Sequence, residues 1–100
     1  MEQTEIKGGK QTRFRMKTPS LYNVIMHNDD VTTMDFVVMV LRSIFHKSEQ
    51  DAERIMLKVH HEGAAIVGTY YKDIAKSKAE YTMALAQSNG FPLKLSIQEL

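Results

Sequence analysis

The spacing of apolar residues along the chain predicts where strands and helices lie. Residues 22–26 form a short apolar, β-branched run that predicts a buried strand. Between Phe36 and Phe45 apolar residues recur with a helical period, on a face so broad that we predict a helix covered on more than one side. A second helical repeat occupies positions 52–59, where apolar residues stand at i, i+3, i+4 and i+7.

Capping residues mark the ends of these two helices. Thr32 is predicted to cap the first helix, with Asp35 three residues later in the place of a capping-box acid. Ser48 begins the second helix, with Asp51 at its third position. Gly63 ends it, because glycine tolerates a positive φ.

The last third of the chain contains two strands around one helix. Residues 64–70 form a short strand interrupted by glycine, and a helix runs from about Lys72 to Ser88, where Asn89-Gly90 stops it. Residues 93–97 alternate strictly between apolar and polar, which predicts a half-buried strand. The order β-α-α-β-α-β predicts an α+β fold: a small three-stranded antiparallel sheet with three helices packed on one face.

The first residues differ in composition from the rest. Residues 1–19 hold five basic residues, a Gly8-Gly9 pair and few sizeable apolar groups, too few to offset the entropy of ordering. We therefore predict a flexible N-terminal arm at 1–19 and one folded domain at 20–100. The basic residues of the arm suit nucleic acid, but a short solvated tail is the simpler interpretation.

Charge and composition argue against several classes of protein. The formal net charge is +1, so no bulk field draws the chain to nucleic acid or to an anionic membrane. The chain has no cysteine and therefore no disulfide, thiolate nucleophile or thiolate metal site. No apolar run approaches the roughly 20 residues of a membrane span, and no signal-peptide core follows Met1. These features predict a soluble, cytoplasmic protein.

Polar residues cluster where the first predicted strand meets the first helix, in the segment 27–34. An amide and two adjacent carboxylates stand there, namely Asn28, Asp29 and Asp30. Polar groups at such a junction can converge on a ligand. Asn and Asp are also favoured in turns and caps for local reasons alone. Spacing by itself therefore leaves open both a binding role and a turn role.

The four histidines do not form a metal or catalytic motif. His60 and His61 are adjacent, so on a helix they point about 100° apart, and no H-x-x-x-H or H-E-x-x-H spacing occurs. Asp29 and Asp30 lack the alternating ligands and central glycine of a calcium loop. His60 could act as a general base, but no nucleophile elbow, phosphate-binding loop or cofactor fingerprint accompanies it. Alone, it is equally a histidine suited to a helix C-terminus. We predict no enzymatic activity, cofactor or metal.

These segments together resemble the ClpS family, the bacterial adaptors that present N-degron substrates to the ClpA-type unfoldase of the ClpP protease. The resemblance covers about Tyr22 to Leu100. It rests on VIMHNDD at 24–30, TTMDFV at 32–37, IMLKVH at 55–60 followed by Gly63, and Pro92-Leu93.

The resemblance implies a pocket for the first residue of a polypeptide. Asn28, Asp30 and His60 would hold the free α-amino group, with Asp29 close by in the same subsite. The cavity for a bulky hydrophobic side chain (Leu, Phe, Tyr or Trp) would be lined by Thr32, Met34, Val37, Met56, Val59 and Leu93. Met34 would act as a gate against β-branched residues. A protonated amine has three donors, and a carboxylate, an amide oxygen and a neutral imidazole nitrogen are suitable acceptors.

The resemblance also implies partners. The chain would be a monomeric adaptor that binds N-terminal segments of substrates and delivers them to a ClpA-type or ClpC-type unfoldase. Asp73 and Lys78 would dock on the unfoldase's N-terminal domain, and the arm would take part in hand-over. Neither nucleic acid nor a membrane is expected.

The sequence departs from the family at Thr33, where proline is usual, and at His61, where an aromatic residue is common. Threonine in place of proline at position 33 loses a residue that favours the first turn of a helix, but it removes no pocket group. The main alternative is an interaction module of the same fold without a terminal-residue pocket. A metal-dependent hydrolase is a more distant one.

Overall fold

The structure is a computed structural model that describes residues 19–100. Within that range the chain forms three strands and three helices, in the order β1 (Leu21–His27), α1 (Met34–Ser43), α2 (Glu49–Glu62), β2 (Ala64–Tyr71), α3 (Lys72–Ser88) and β3 (Lys94–Glu99). The predicted order of elements is confirmed. The arm predicted at 1–19 lies outside the described residues apart from Pro19, so the boundary between arm and domain stays a prediction.

β1 is the central strand of an antiparallel sheet whose order is β2-β1-β3. On β1, Val24 stands opposite Gly68 of β2 and Ile97 of β3. The register against β2 shifts between Val24 and Ile25, which marks a β-bulge. Because neighbouring strands pair with β1 on both sides, the loop that follows His27 leaves the sheet from a fixed position.

The side chains of β1 alternate between a face covered by the helices and an open face. Val24 and Met26 are 0% exposed, whereas Asn23 and Ile25 keep partial exposure. The helices contribute the rest of the covered face, chiefly Phe36, Val40 and Leu41 from α1, Ile55 and Val59 from α2, and Ala75, Ala79 and Ala86 from α3. Burying each large apolar side chain contributes about 1.5–3 kcal/mol, which holds the helices on the sheet.

The cap of α1 differs from the sequence prediction. Thr33, not Thr32, is the N-cap, and its hydroxyl oxygen accepts a hydrogen bond from the Phe36 N–H at 3.2 Å. The prediction that Thr32 caps the helix is wrong because Asp29 engages both the Thr32 N–H and its hydroxyl. The helix therefore starts one residue later, at Met34.

Both predicted ends of α2 are confirmed. The Ser48 side chain accepts a hydrogen bond from the Asp51 N–H, and Gly63 adopts a left-handed conformation with φ +90°. The Gly63 N–H donates to the Val59 carbonyl, and the Gly63 carbonyl accepts from the Asn28 N–H at 2.9 Å. The end of α2 is thereby joined to the first residue of the loop after β1.

We expect Gly63→Ala to destabilise the fold by about 1 kcal/mol, because a Cβ disfavours the left-handed region. A Cβ at Gly63 would meet no atom within 4 Å, so the cost is one of backbone conformation rather than of a clash. The reverse test is His46→Gly, since His46 is a non-glycine residue at φ +57°. We expect that change to stabilise by up to about 1 kcal/mol.

Urea unfolding curves of the three proteins measure both effects, with equal m-values as the sign that only stability changed. Equal midpoints for Gly63→Ala and the wild type would show that the end of α2 does not need the left-handed conformation.

Candidate functional site

A cavity of about 220 Å³ opens between the loop after β1, the first turn of α1 and one face of α2. Its lining combines polar groups from the loop with apolar groups from the helices: Asn28, Asp29, Asp30, Thr32, Met34, Val37, Met56, Val59 and His60. These are all of the residues predicted for the pocket except Leu93. Residues from two distant parts of the sequence therefore meet in one cavity.

Leu93 lies in the core rather than in the lining. It is 3% exposed, just before β3, and belongs to the cluster of buried apolar residues that includes Val37 and Val59. A side chain in that position supports the residues that line the cavity. A direct contact between Leu93 and a ligand stays a prediction.

The apolar part of the lining is graded from buried to exposed. Val37 and Val59 are almost fully buried, Met56 is partly buried, and Met34 is 46% exposed. Met34 is the first residue of α1, so its flexible thioether stands where the cavity meets solvent. A side chain with that freedom suits a gate that adapts to the shape of what enters.

The polar part of the lining stays open to solvent. The side chains of Asn28 and Asp30 belong to exposed residues of the loop, and His60 is exposed in the last turn of α2. The His60 ring packs edge-on against the His61 ring, with centroids 5.2 Å apart. A carboxylate, an amide and an imidazole thus border one cavity, and a cationic group entering it would meet hydrogen-bond acceptors.

Asp29 is the most constrained of these polar side chains. Its Oδ1 accepts hydrogen bonds from the Val31 N–H at 2.8 Å and the Thr32 N–H at 2.7 Å, and its Oδ2 accepts from the Thr32 hydroxyl at 2.7 Å. Burial alone raises the pKa of the Asp29 carboxyl. The hydrogen bonds from Thr32 and Val31 together outweigh burial and hold that pKa below its ordinary value of 3.8.

Two contributors to the site were missed at the level of sequence. Thr33 orients the start of α1 through its cap, and Phe36 packs edge-on against Phe91 with ring centroids 5.0 Å apart. The Phe91 contact ties α1 to the segment before β3. The capping preference of threonine could have identified Thr33, whereas no local signal pairs two aromatic residues so distant in sequence.

The two residues predicted to dock an unfoldase lie differently on α3. Asp73 is exposed in the first turn, whereas the Lys78 ammonium donates to the Ile44 carbonyl at 2.7 Å. The same ammonium lies 5.9 Å from the centroid of the Phe45 ring and 5.4 Å from that of Tyr70. Five residues of helix separate the two by about 140° around the axis. Docking by this pair stays a prediction.

Residues 19–100 contain no group of three or more His, Cys, Asp or Glu side chains placed to hold a metal ion. In the same part of the chain, every helix is too short or too polar to cross a membrane.

A sequence profile described as "ATP-dependent Clp protease adaptor protein ClpS" matches residues 17–96. The chain belongs to the ClpS family. Proteins of this family are adaptors of the Clp protease rather than its catalyst, so the chain serves proteolysis without being an enzyme itself.

Individual relatives agree with the family match. The ClpS adapter protein of Myxococcus xanthus is 49% identical over 84 residues, which are 84% of this chain and 78% of the relative. That of Acetivibrio thermocellus is 49% identical over 92 residues, 92% of this chain and 91% of the relative. A solved structure of Agrobacterium tumefaciens ClpS2 bound to L-phenylalaninamide is 37% identical, with a TM-score of 0.80, and covers 83% of this chain and 100% of its own.

We expect the Asp29 carboxylate to stabilise this ClpS-family chain at neutral pH and to lose that contribution in acid. A carboxyl whose pKa is lowered on folding adds stability above the pKa of the unfolded chain, and this contribution is lost as the pH falls through the folded-state pKa. Asp29→Asn removes the contribution, so the variant is less stable at neutral pH and loses less stability in acid.

Urea unfolding from neutral pH down to about pH 3 measures this difference. Asp30→Asn is the matched control, because it removes one charge from the same loop without removing a hydrogen bond recorded among residues 19–100. Parallel stability profiles for Asp29→Asn and the wild type would contradict the expectation.

Proposed function

We propose that this chain binds the free N-terminal residue of a substrate polypeptide, with a bulky hydrophobic side chain, and delivers the substrate to the unfoldase of a Clp protease. The single observation that carries the proposal is the cavity, which has open acceptor groups on one side and an apolar lining on the other. An N-terminal residue with a large apolar side chain carries the complementary groups, a donor ammonium and an apolar side chain, on one Cα.

The acceptor side suits a charged amine. Asn28, Asp30 and His60 offer an amide oxygen, a carboxylate and an imidazole nitrogen to the three donors of an ammonium group. Each charge-assisted hydrogen bond contributes roughly 1.5–3 kcal/mol. An internal peptide segment has no such amine, so these bonds would select chain ends.

The apolar side suits one side chain. A cavity of about 220 Å³ lies below the range of roughly 300–1,000 Å³ that is usual for drug-sized ligands. Burying one Leu or Phe side chain there adds about 1.5–3 kcal/mol. Together with the amine contacts, and after the costs of association, the sum gives affinity of about micromolar or somewhat better. An adaptor that must release its substrate works in that range.

The ligand of the Agrobacterium relative has the same chemistry. L-Phenylalaninamide carries a free α-amino group, a benzyl side chain and an amide in place of the carboxylate, and so reproduces the first residue of a chain that begins with Phe. That protein shares 37% of its sequence and the fold of this chain. The likeness supports an N-terminal residue as the ligand here.

Delivery adds further predictions. We propose a ClpA-type or ClpC-type unfoldase as the partner, with Asp73 as a more accessible contact than Lys78, since the Lys78 ammonium already bonds the Ile44 carbonyl. A monomeric state and a place in the bacterial cytoplasm, as expected from the sequence, belong to the same proposal.

The proposal is tested with two Leu-initiated peptides that differ only in acetylation of the α-amino group. We expect the free peptide to bind at least tenfold more tightly, the equivalent of losing one charge-assisted hydrogen bond. Fluorescence anisotropy with a label at the peptide's far end measures both affinities. We also expect the free peptide to bind less tightly above about pH 8, where an α-amino group loses its proton.

Adjacent histidines supply the control. His60→Ala should weaken binding of the free peptide, while His61→Ala should change it little, because His61 does not line the cavity. Equal affinity for free and acetylated peptides would contradict the proposal and favour an interaction module of the same fold.

Met34 should set which side chains enter. We expect Met34→Ala to admit peptides that start with Val or Ile while it still binds Leu and Phe, because a smaller residue leaves room for a branched Cβ. A peptide series that varies only its first residue measures the change. Met39→Ala is the matched control, since Met39 is also exposed on α1 but lies outside the cavity. An unchanged specificity profile in Met34→Ala would place the gate elsewhere.

A further inference from the structure

We infer that Asp29 is a positioning residue, which shapes the loop that presents Asn28 and Asp30 rather than bonding the substrate amine itself. The inference deepens the proposed function and rests on it for the identity of the ligand. It assigns different roles to the two adjacent carboxylates of the loop.

The hydrogen bonds of Asp29 carry the argument. An ionised carboxylate offers about four lone-pair sites. Three are occupied by donors of the loop itself, two on Oδ1 from the Val31 and Thr32 N–H groups and one on Oδ2 from the Thr32 hydroxyl. The two N–H···O distances, 2.8 and 2.7 Å, lie at the short end of the range for such bonds, and the O–H···O distance of 2.7 Å is an ordinary one. An approaching ammonium would have to compete with these donors for the same oxygens.

Asp30 has the opposite surroundings. It is exposed, and within residues 19–100 no hydrogen bond to its carboxylate is recorded. No donor of residues 19–100 therefore competes with an amine for its oxygens, in contrast to those of Asp29. Asp29 and Asp30 are neighbours with the same side chain, so the difference in their hydrogen bonding arises from the fold of the loop.

Fixed points on both sides of Asp30 complete the arrangement. The Asn28 N–H is bonded to the Gly63 carbonyl, and residues 31–32 are bonded to Asp29. The N-cap hydrogen bond of Thr33 fixes the next position. Asp30 is held between these anchors before any ligand arrives, which lowers the entropic cost of binding.

The first experiment measures binding of the free Leu-initiated peptide to three variants. Asp29→Ala should lose roughly two- to thirtyfold in affinity, the range for removing a capping side chain. Asp29→Asn should recover most of that loss, because the amide oxygen still accepts from the Val31 and Thr32 N–H groups. Asp30→Asn, which removes the same charge one residue away, should lose about tenfold or more.

A double-variant cycle tests whether Asp29 acts through Thr32. Thr32→Val keeps the backbone N–H but removes the hydroxyl that donates to Oδ2. Residues joined by one hydrogen bond show coupled effects. We therefore expect Asp29→Ala combined with Thr32→Val to lose less affinity than the product of the two single losses.

Hydrogen exchange of the Val31 and Thr32 amides in the unliganded proteins gives a readout without peptide. Both amides should exchange faster in Asp29→Ala than in the wild type and stay protected in Asp29→Asn. If Asp29→Asn lost as much affinity as Asp29→Ala while its amides stayed protected, Asp29 would act through its charge and the inference would be overturned. Unchanged exchange in Asp29→Ala would overturn it as well.

The failure of the proposed function has a separate signature. Wild-type protein that binds free and acetylated peptides alike would refute the amine pocket, whereas the amide exchange of the Asp29 variants would still decide whether this carboxylate organises the loop. Should Asp29→Ala not fold, Asp29→Asn and Thr32→Val provide the same comparison with smaller changes.

Discussion

The hydrogen bond from the Asn28 N–H to the Gly63 carbonyl joins two elements that are far apart in sequence. Gly63 makes this bond from a left-handed conformation, and the bond fixes the loop after β1 against the end of α2. His60 lies one turn before that end, and Asn28 begins the loop. This backbone contact brings the two polar parts of the cavity together, on a loop that leaves the central strand β1.

The cavity combines rigidity and adaptability in different parts of its lining. Val37 and Val59 belong to the core, so the inner wall cannot move without a cost in stability. Met34 stands at the rim with its side chain half exposed, and it can adjust to more than one large side chain. Under the proposed function, a fixed amine subsite and an adaptable rim would together suit an adaptor that accepts several N-terminal residues and excludes internal segments.

Charged side chains of the same type have different environments in this small domain. The Asp29 carboxylate accepts three hydrogen bonds within its loop, whereas the exposed Asp30 carboxylate accepts none from residues 19–100. Lys78 is similarly engaged, since its ammonium donates to the carbonyl of Ile44, the residue that follows α1. In each case an internal contact competes with a role towards a partner, so charge and exposure in the sequence are not enough to identify a binding residue.

The sequence by itself determined the order of strands and helices, because apolar periodicity and capping residues are local signals. It also determined the composition of the cavity, through the resemblance of its motifs to a known family. The tertiary structure decided which hydrogen-bonding partner each polar group has: Thr33 caps α1 because Asp29 engages Thr32. It also decided that Leu93 lies in the core behind the cavity. The physical reason is competition. A carboxylate can bond any nearby donor, and only the folded backbone decides which donor is nearest.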